Sequence, residues 1–280
     1  LRNDGHVSPR GCMAVIFLRK IDTLVKDAIG KKLYEIASDG DALIENAPTP
    51  SFGRCGRLSR RCFVVEFKEP LGYGDGLTFQ ERAFEKVSAG EADGILLLLE
   101  HKPVFTVGRS GGRENLLVDE RVLEAYGIEL YETNRGGNIT YHGPGQIVAY
   151  PIFNLSKWKK DLPWYVSCLE EVVIQVLKDY NIKAGRKPKY RGVWVADKKI
   201  AAIGIAADRW ITMHGFAFNV RVDKSHFELI NPCGIREFSV ASLDDYVEDV
   251  DFREVVKKVK EKFSLVFETN FKKELSEGMS

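Results

Sequence analysis

The 280-residue chain has almost no net charge, no long apolar run, no cysteine pair at C-x-x-C spacing and no histidine pair at metal-ligand spacing. Each absence closes off a class. Lys plus Arg number 41 against 40 Asp plus Glu, so the basic excess of a dedicated nucleic-acid binder is missing. Apolar runs such as Ala14–Leu18 and Ile95–Leu99 fall far short of the ~20 residues that cross a bilayer. The five cysteines (Cys12, Cys55, Cys62, Cys168, Cys233) are odd in number and scattered, which supports neither a zinc ribbon nor a dithiol redox site. The five histidines (His6, His101, His142, His214, His226) are as dispersed, and no metal site is expected. What remains has 44% hydrophobic and 29% charged residues, the proportions of a globular protein. A soluble, cytoplasmic protein is expected, with no nucleic-acid and no membrane partner.

Two regions differ in texture. Residues 1–61 begin with Leu, and they carry one amphipathic pattern around Ile21–Ile36 and a Pro/Ser/Gly/Arg stretch over Ala47–Arg61. They read as a poorly ordered N-terminal extension; a presequence directing the chain to an organelle is the other reading. Residues 62–280 read as one compact domain. Strand-length apolar runs are expected at Cys62–Phe67, Gly94–Leu99, Val104–Val107, Ile128–Tyr131, Ile139–Tyr141, Ile147–Phe153 and Gly192–Val195. Lys198–Ala207 and Ile211–Val220 read as a hairpin turning at Asp208-Arg209. Helices are expected over Leu77–Val87, Leu162–Tyr180 and Asp251–Phe263, the second with Leu169, Val172, Val173, Val176, Leu177 and Tyr180 at helical spacing and Cys168 beside them as packing. Strands outnumber the helices between them, so the class is α+β with a mixed, mainly antiparallel sheet.

Three segments carry chemistry. Over Arg135–Gln146 the sequence RGGNITYHGPGQ has five Gly or Pro among twelve residues. Glycine lets backbone approach a ligand, and N–H groups in such turns hold carbonyl oxygens; an ordinary Gly-rich hairpin with a surface Arg and a packed His reads equally well. In KIAAIG, Lys199 opens a strand too small to cover an ammonium, although a solvent-facing lysine on an edge strand gives the same pattern. In NPCGI, Cys233 sits between Pro232 and Gly234 in a turn, a poor place for a core thiol and a good one for a nucleophile.

RGGNITYHGPGQ, then KIAAIG with HGFAFNV, then NPCGI, together with HKPVFTVGR at His101–Arg109, resemble the lipoyl/octanoyl transferase family of lipoate biosynthesis over about Phe63–Phe267. The resemblance implies a large mixed sheet flanked by helices with a small second sheet, as in the biotin/lipoate ligase catalytic domain. It implies a cofactor-independent acyltransferase moving an octanoyl group from acyl carrier protein to a lysine of lipoyl domains or of the glycine-cleavage H protein. By motif, Cys233 would hold the acyl thioester and Lys199 complete a catalytic dyad. Arg135, Gly136, Gly137, Asn138, Ile139, Thr140, Tyr141 and His142, with Ala202, Ile203 and Gly204 and with Gly215, Phe216 and Ala217, would line the acyl site; His101 and His214 are secondary candidates. A monomer is expected. The chemistry agrees: a thioester already carries the free energy of amide formation, and a neighbouring ammonium favours a thiolate whose ordinary pKa is ~8.5. The competing readings are an ATP-dependent lipoate- or biotin-protein ligase of the same fold, and a non-catalytic lipoyl-domain binder. The run Lys183–Arg191, with Lys183, Arg186, Lys187, Lys189 and Arg191 and no acid, reads as a dock for the acidic carrier protein.

Overall fold

A computed structural model describes residues 60–188, 190–231 and 239–273. The expected helix over 21–36 and nearly all of the extension 1–61 lie outside these residues. The described chain begins at Arg60 and Arg61, whose side chains bond the carbonyls of Lys157 and Gly90.

Eleven strands and four α-helices follow among the described residues. The strands are β1 (Cys62–Glu66), β2 (Gly94–Leu99), β3 (Val104–Val107), β4 (Glu129–Glu132), β5 (Thr140–His142), β6 (Gln146–Phe153), β7 (Gly185–Lys187), β8 (Tyr190–Val195), β9 (Lys198–Asp208), β10 (Ile211–Asn219) and β11 (Phe271–Lys273). The helices are α1 (Tyr73–Ser88), α2 (Glu120–Tyr126), α3 (Leu162–Asp179) and α4 (Phe252–Val266). Eight strands form one sheet in the order β11-β1-β2-β6-β10-β9-β8-β7, and three form a second, β4-β3-β5. Only β1–β2, β1–β11 and β3–β4 pair in parallel among these neighbours. The expected mixed, mainly antiparallel sheet with a small second sheet is what the chain builds.

The large sheet separates two apolar layers. Strands β2 and β6 are buried along their whole length, which explains why their sequences are continuous apolar runs. On one face Leu96, Leu98, Phe216 and Phe218 pack against α3 (Leu169, Val172, Val176) and α4 (Val255, Val259, Phe263). On the other, Leu97, Leu99, Val148, Tyr150 and Ala217 pack against Ala83 and Val87 of α1. Asp161 and Asp251 accept backbone N–H groups at the starts of α3 and α4, satisfying donors that a helix start leaves open. Cys168 is buried in the α3 layer, where burial pushes its thiol up to about 12; it is core, as expected.

Candidate active site

The Gly-rich stretch is two structures in series. Asn134–Ile139 is a loop, β5 follows, and Gly143–Gly145 turns the chain into β6. Arg135 faces inward: its Nε and Nη2 donate to Thr106 Oγ1 at 3.1 and 2.8 Å, and Nη1 donates to the Gly136 carbonyl at 3.1 Å. The guanidinium therefore holds the loop to β3 of the small sheet. Gly136 N–H donates to the Ile205 carbonyl at 2.8 Å, which docks the same loop on β9 of the large sheet. The approach is close enough that a Cβ on Gly204 would stand 2.7 Å from the Gly136 oxygen. Only glycine fits there.

Register explains the floor beneath this loop. Ala202 lies opposite Ala217 and Gly204 opposite Gly215, while Ile203 lies opposite Phe216. Directly opposed residues share a face. Ile203 and Phe216 thus belong to the α3/α4 layer, and Ala202, Gly204, Gly215 and Ala217 face the α1 side. The stretch Ala202–Ala207 stays half-buried although β9 is an inner strand. The result is a strip without large side chains, with the Gly136 backbone closed over Gly204.

Three histidines from distant parts of the chain meet on that α1 side. His101 Nδ1–H donates to the Leu71 carbonyl at 3.2 Å and Nε2 accepts from Tyr150 Oη at 2.7 Å. His142 Nδ1–H donates to Gln146 Oε1 at 2.8 Å, and Gln146 Nε2 donates on to Asn219 Oδ1 at 2.8 Å. His214 Nε2–H donates to Asn134 Oδ1 at 2.6 Å, beside the loop. These tautomers are assigned from the carbonyl and amide partners. Tyr73, His101 and His142 pack as a triangle, with Tyr73 5.1 and 6.3 Å from the two imidazoles and those 5.7 Å from each other, by ring centroids. His214 has a left-handed backbone, φ 58°, within β10. That departure breaks the alternation of the strand and brings its ring against Tyr150, while Phe216 and Phe218 keep to the opposite layer.

Burial holds all three imidazoles neutral. It lowers His101 to about 4 and His142 well below the ordinary value, the latter helped by His101. It lowers His214 to about 3, with Arg135 adding repulsion. Such groups orient and hydrogen-bond at neutral pH; they do not carry charge. An unfolded histidine takes up its proton near pH ~6.5, so below that pH the unfolded state binds protons that the native state refuses. Stability is therefore full above pH ~6.5 and lost as pH falls toward 4, each histidine adding about 1.4 kcal/mol per pH unit. Urea denaturation at pH 7, 6 and 5 should show this steep decline; a flat profile would mean that the histidines are charged in the native state.

Lys199 is not on an edge. Strand β9 lies between β10 and β8, and the β8–β9 register slips between Val193 and Trp194, opposite Lys199. Such a bulge re-aims side chains. Lys199 Nζ stands 4.9 Å from the centroid of the Trp194 ring, and Lys187 Nζ is 4.8 Å from it. Cys233, with Pro232 and Gly234, lies outside the described residues; its flanks do not. Asn231 N–H donates to the Asn115 carbonyl at 2.8 Å. On the far side Lys199 N–H donates to the Ser239 carbonyl at 3.0 Å and Ala241 N–H to the Lys199 carbonyl at 2.9 Å. The backbone of Lys199 thus anchors the chain that leaves the NPCGI motif.

Two residues of the basic run 183–191 are tied down within the fold, while Lys183 and Arg191 are exposed. Arg186, on the edge strand β7, donates from Nε to Glu170 Oε2 at 2.9 Å and from Nη2 to Glu171 Oε2 at 2.8 Å. Lys187 pairs with Asp197 at 2.5 Å; Lys189 lies outside the described residues. Both glutamates on α3 are under 10% exposed, so their charge needs the guanidinium. Removing Arg186 strands two buried carboxylates and is expected to cost about 3 kcal/mol of stability at neutral pH. Glu170 is already raised by burial, against the pull of the Gly192 N–H and Arg186. A carboxyl raised in the folded state binds its proton more readily there, so the loss in Arg186→Ala should shrink as pH falls toward 5. Thermal unfolding of the variant at pH 7.5 and 5 checks both statements; an unchanged melting temperature at pH 7.5 would sink them.

The residues that sequence reading left out are mostly supporting partners: Gln146 and Asn219 behind His142, Tyr150 behind His101, and Gln80, whose Oε1 accepts from His214 N–H at 2.8 Å. Gln146 closes the HGPGQ motif and Asn219 lies in HGFAFNV, so both were legible there; Tyr150 and Gln80 come from a strand and a helix with no motif. Among the described residues no group of three His, Cys, Asp or Glu could hold a metal ion, and no helix is long and apolar enough to cross a membrane.

This architecture has relatives. The family model of the lipoyl protein ligase A/B catalytic domain matches residues 73–264. An octanoyltransferase of Clostridium kluyveri is 52% identical over 215 residues, covering 77% of this chain and 92% of that protein. One of a Thermoanaerobacter species is 57% identical over 200 residues, covering 71% and 87%. Among solved structures, a T. acidophilum protein with bound lipoic acid superposes with a TM-score of 0.65 at 20% identity, over 79% of this chain and 92% of that one. Lipoate-protein ligase A bound with ATP gives 0.61 at 20% identity, over 79% and 91%. At that identity the structures speak for the fold, while the far closer sequence relatives decide the branch. The chain belongs to the lipoyl protein ligase A/B catalytic-domain family and, within it, to the octanoyltransferases.

Proposed function

We propose that this octanoyltransferase takes its acyl group from octanoyl-acyl carrier protein, holds it as a thioester on Cys233, and passes it to a lysine of a lipoyl domain or of glycine-cleavage H protein. In the first step the Cys233 thiolate attacks the thioester carbonyl of the donor and the phosphopantetheine thiolate leaves, taking a proton from the Lys199 ammonium and leaving Lys199 a neutral amine. In the second the acceptor amine attacks the new thioester, Cys233 departs as thiolate, and the amine proton passes to Lys199. No nucleotide enters, because one thioester is exchanged for another and the amide is downhill from it.

The observation that carries this reading is the small-residue floor. Ala202, Gly204, Gly215 and Ala217 line a strip that Gly136 overhangs, and the segment bearing Cys233 begins and ends at residues tied to the neighbouring elements. Ile139 and Tyr141 are buried in the small-sheet core, so their contribution is to shape the wall; Gly137, Asn138 and Thr140 offer backbone to the acyl carbonyl. His142 and His214 orient that wall as neutral hydrogen-bonding groups, and His101 supports them through Tyr150.

The test uses the full chain with octanoyl-acyl carrier protein and an unmodified lipoyl domain in nucleotide-free buffer. Octanoylation of the lipoyl domain is expected without ATP, and free octanoate plus ATP should give none. The reverse pattern would make the protein an ATP-dependent ligase of the same fold.

A further inference from the structure

We infer that Asn115 is a positioning residue that ties Asn231, where the chain departs toward the nucleophile, to the acyl-site loop; the inference rests on the proposed role of Cys233. Residues 108–117 run as a strap between two segments that do not otherwise share a sheet. On one side Gly108, Arg109 and Ser110 donate backbone N–H groups to the carbonyls of Asn138 (3.3 Å), Arg135 (2.9 Å) and Gly137 (3.1 Å). On the other, Leu117 N–H donates to Leu229 and Asn231 N–H to Asn115, at 2.9 and 2.8 Å, and Leu116 bridges Ile230.

Asn115 makes both connections from one residue. Its carbonyl holds Asn231, two residues before Cys233, and its side-chain Nδ2–H donates to Asn138 Oδ1 at 3.0 Å. That same oxygen accepts from Ile139 N–H at 2.7 Å, so the Asn138 amide is fixed from two sides. Its position also explains Gly112, where a Cβ would lie 2.2 Å from Asn138 Oδ1. Two residues of chain bound the Asn231–Cys233 Cα separation at about 7 Å. A shift at Asn115 would therefore move the nucleophile relative to the loop that receives the acyl carbonyl, and misplacement of about an ångström costs roughly 100-fold in rate.

The polarity of the bond supplies a test that a bulk structural role would not pass. Asn115→Ala removes the donor. Asn115→Asp presents a carboxylate oxygen to Asn138 Oδ1 when ionised and an O–H donor when protonated. Single-turnover acylation of Cys233 by octanoyl-acyl carrier protein should fall about 10- to 100-fold in both variants at pH 7.5, with the donor concentration at half-maximal rate unchanged. As pH is lowered toward 5, the Asp variant alone should regain rate relative to wild type measured at the same pH. Wild-type rates in Asn115→Ala, or parallel pH profiles for the Ala and Asp variants, would overturn the inference. If wild type itself forms no adduct on Cys233, it is the nucleophile assignment that fails. Should Asn115→Ala not fold, the pH profile of Asn115→Asp decides alone.

Discussion

Replacing Cys233 by Ala should reduce octanoyl transfer by about 10³-fold or more, because it removes the atom on which the acyl group is carried. The effect should fall on kcat and kcat/KM together, since the thiol contributes bond making rather than affinity. Cys62 and Cys168 cannot substitute for it: both are buried, and burial raises both thiols. Cys233→Ser separates nucleophilicity from volume. It should bind octanoyl-acyl carrier protein as wild type does and acylate very slowly, since a hydroxyl at this position lacks the ready ionisation of a thiol. Chromatographic transfer assays with a lipoyl-domain acceptor measure both variants, and turnover near the wild-type rate in either would remove Cys233 from the mechanism.

Lys199 should show the second largest effect, and its two functions should come apart in two variants. Lys199→Arg keeps a cation over the Trp194 ring, where the native ammonium stands, but a guanidinium stays protonated and cannot relay a proton. Transfer to the acceptor amine should then fall about 10²-fold, while alkylation of Cys233 by iodoacetamide continues at neutral pH. Lys199→Ala loses the cation as well, so alkylation itself should slow and its pH profile move upward. Both variants should fold, because the side chain is half-buried at a bulge and the bonds that Lys199 makes to Ser239 and Ala241 come from the backbone. Equal transfer rates in wild type and Lys199→Ala would leave Lys199 a strand residue with no part in the reaction.

Much of the fold was legible in the sequence where burial is two-sided or strongly periodic. The apolar runs of β2 and β6 and the stripe of α3 appear within a residue or so of where they were read. The errors have local causes. Helix α1 begins at Tyr73, and the reading from Leu77 missed its first turn because Gly74 and Gly76 stand there, each lowering helix propensity by about 1 kcal/mol. Helix α2 has seven residues and buries only Leu123, too short for periodicity, although Asp119 caps it and Gly127 ends it in the left-handed region. Strand β7 has no apolar alternation; its Arg186 is tied to Glu170 and Glu171, a partner pair invisible until α3 is in place.

The site divides the same way. The Gly-rich loop and the KIAAIG strand were readable as segments, and register then brought Gly204 and Gly215 together. The inward turn of Arg135 was not, since a guanidinium beside two glycines reads as surface until Thr106 is found opposite it. The meeting of His101, His142 and His214 depends on strand order, with β6 and β10 adjacent and the small sheet packed beside them. Motif order alone carries none of that.

The covalent intermediate is the centre of this account, and one measurement reaches it directly. The full chain is mixed with octanoyl-acyl carrier protein in the absence of acceptor and nucleotide, quenched in acid, and examined by intact mass and peptide mapping. One added octanoyl group per chain, located on Cys233, absent from Cys233→Ala and discharged on adding an unmodified lipoyl domain, is the predicted result. Transfer to the lipoyl domain at full rate with no acyl group ever appearing on Cys233 would contradict it.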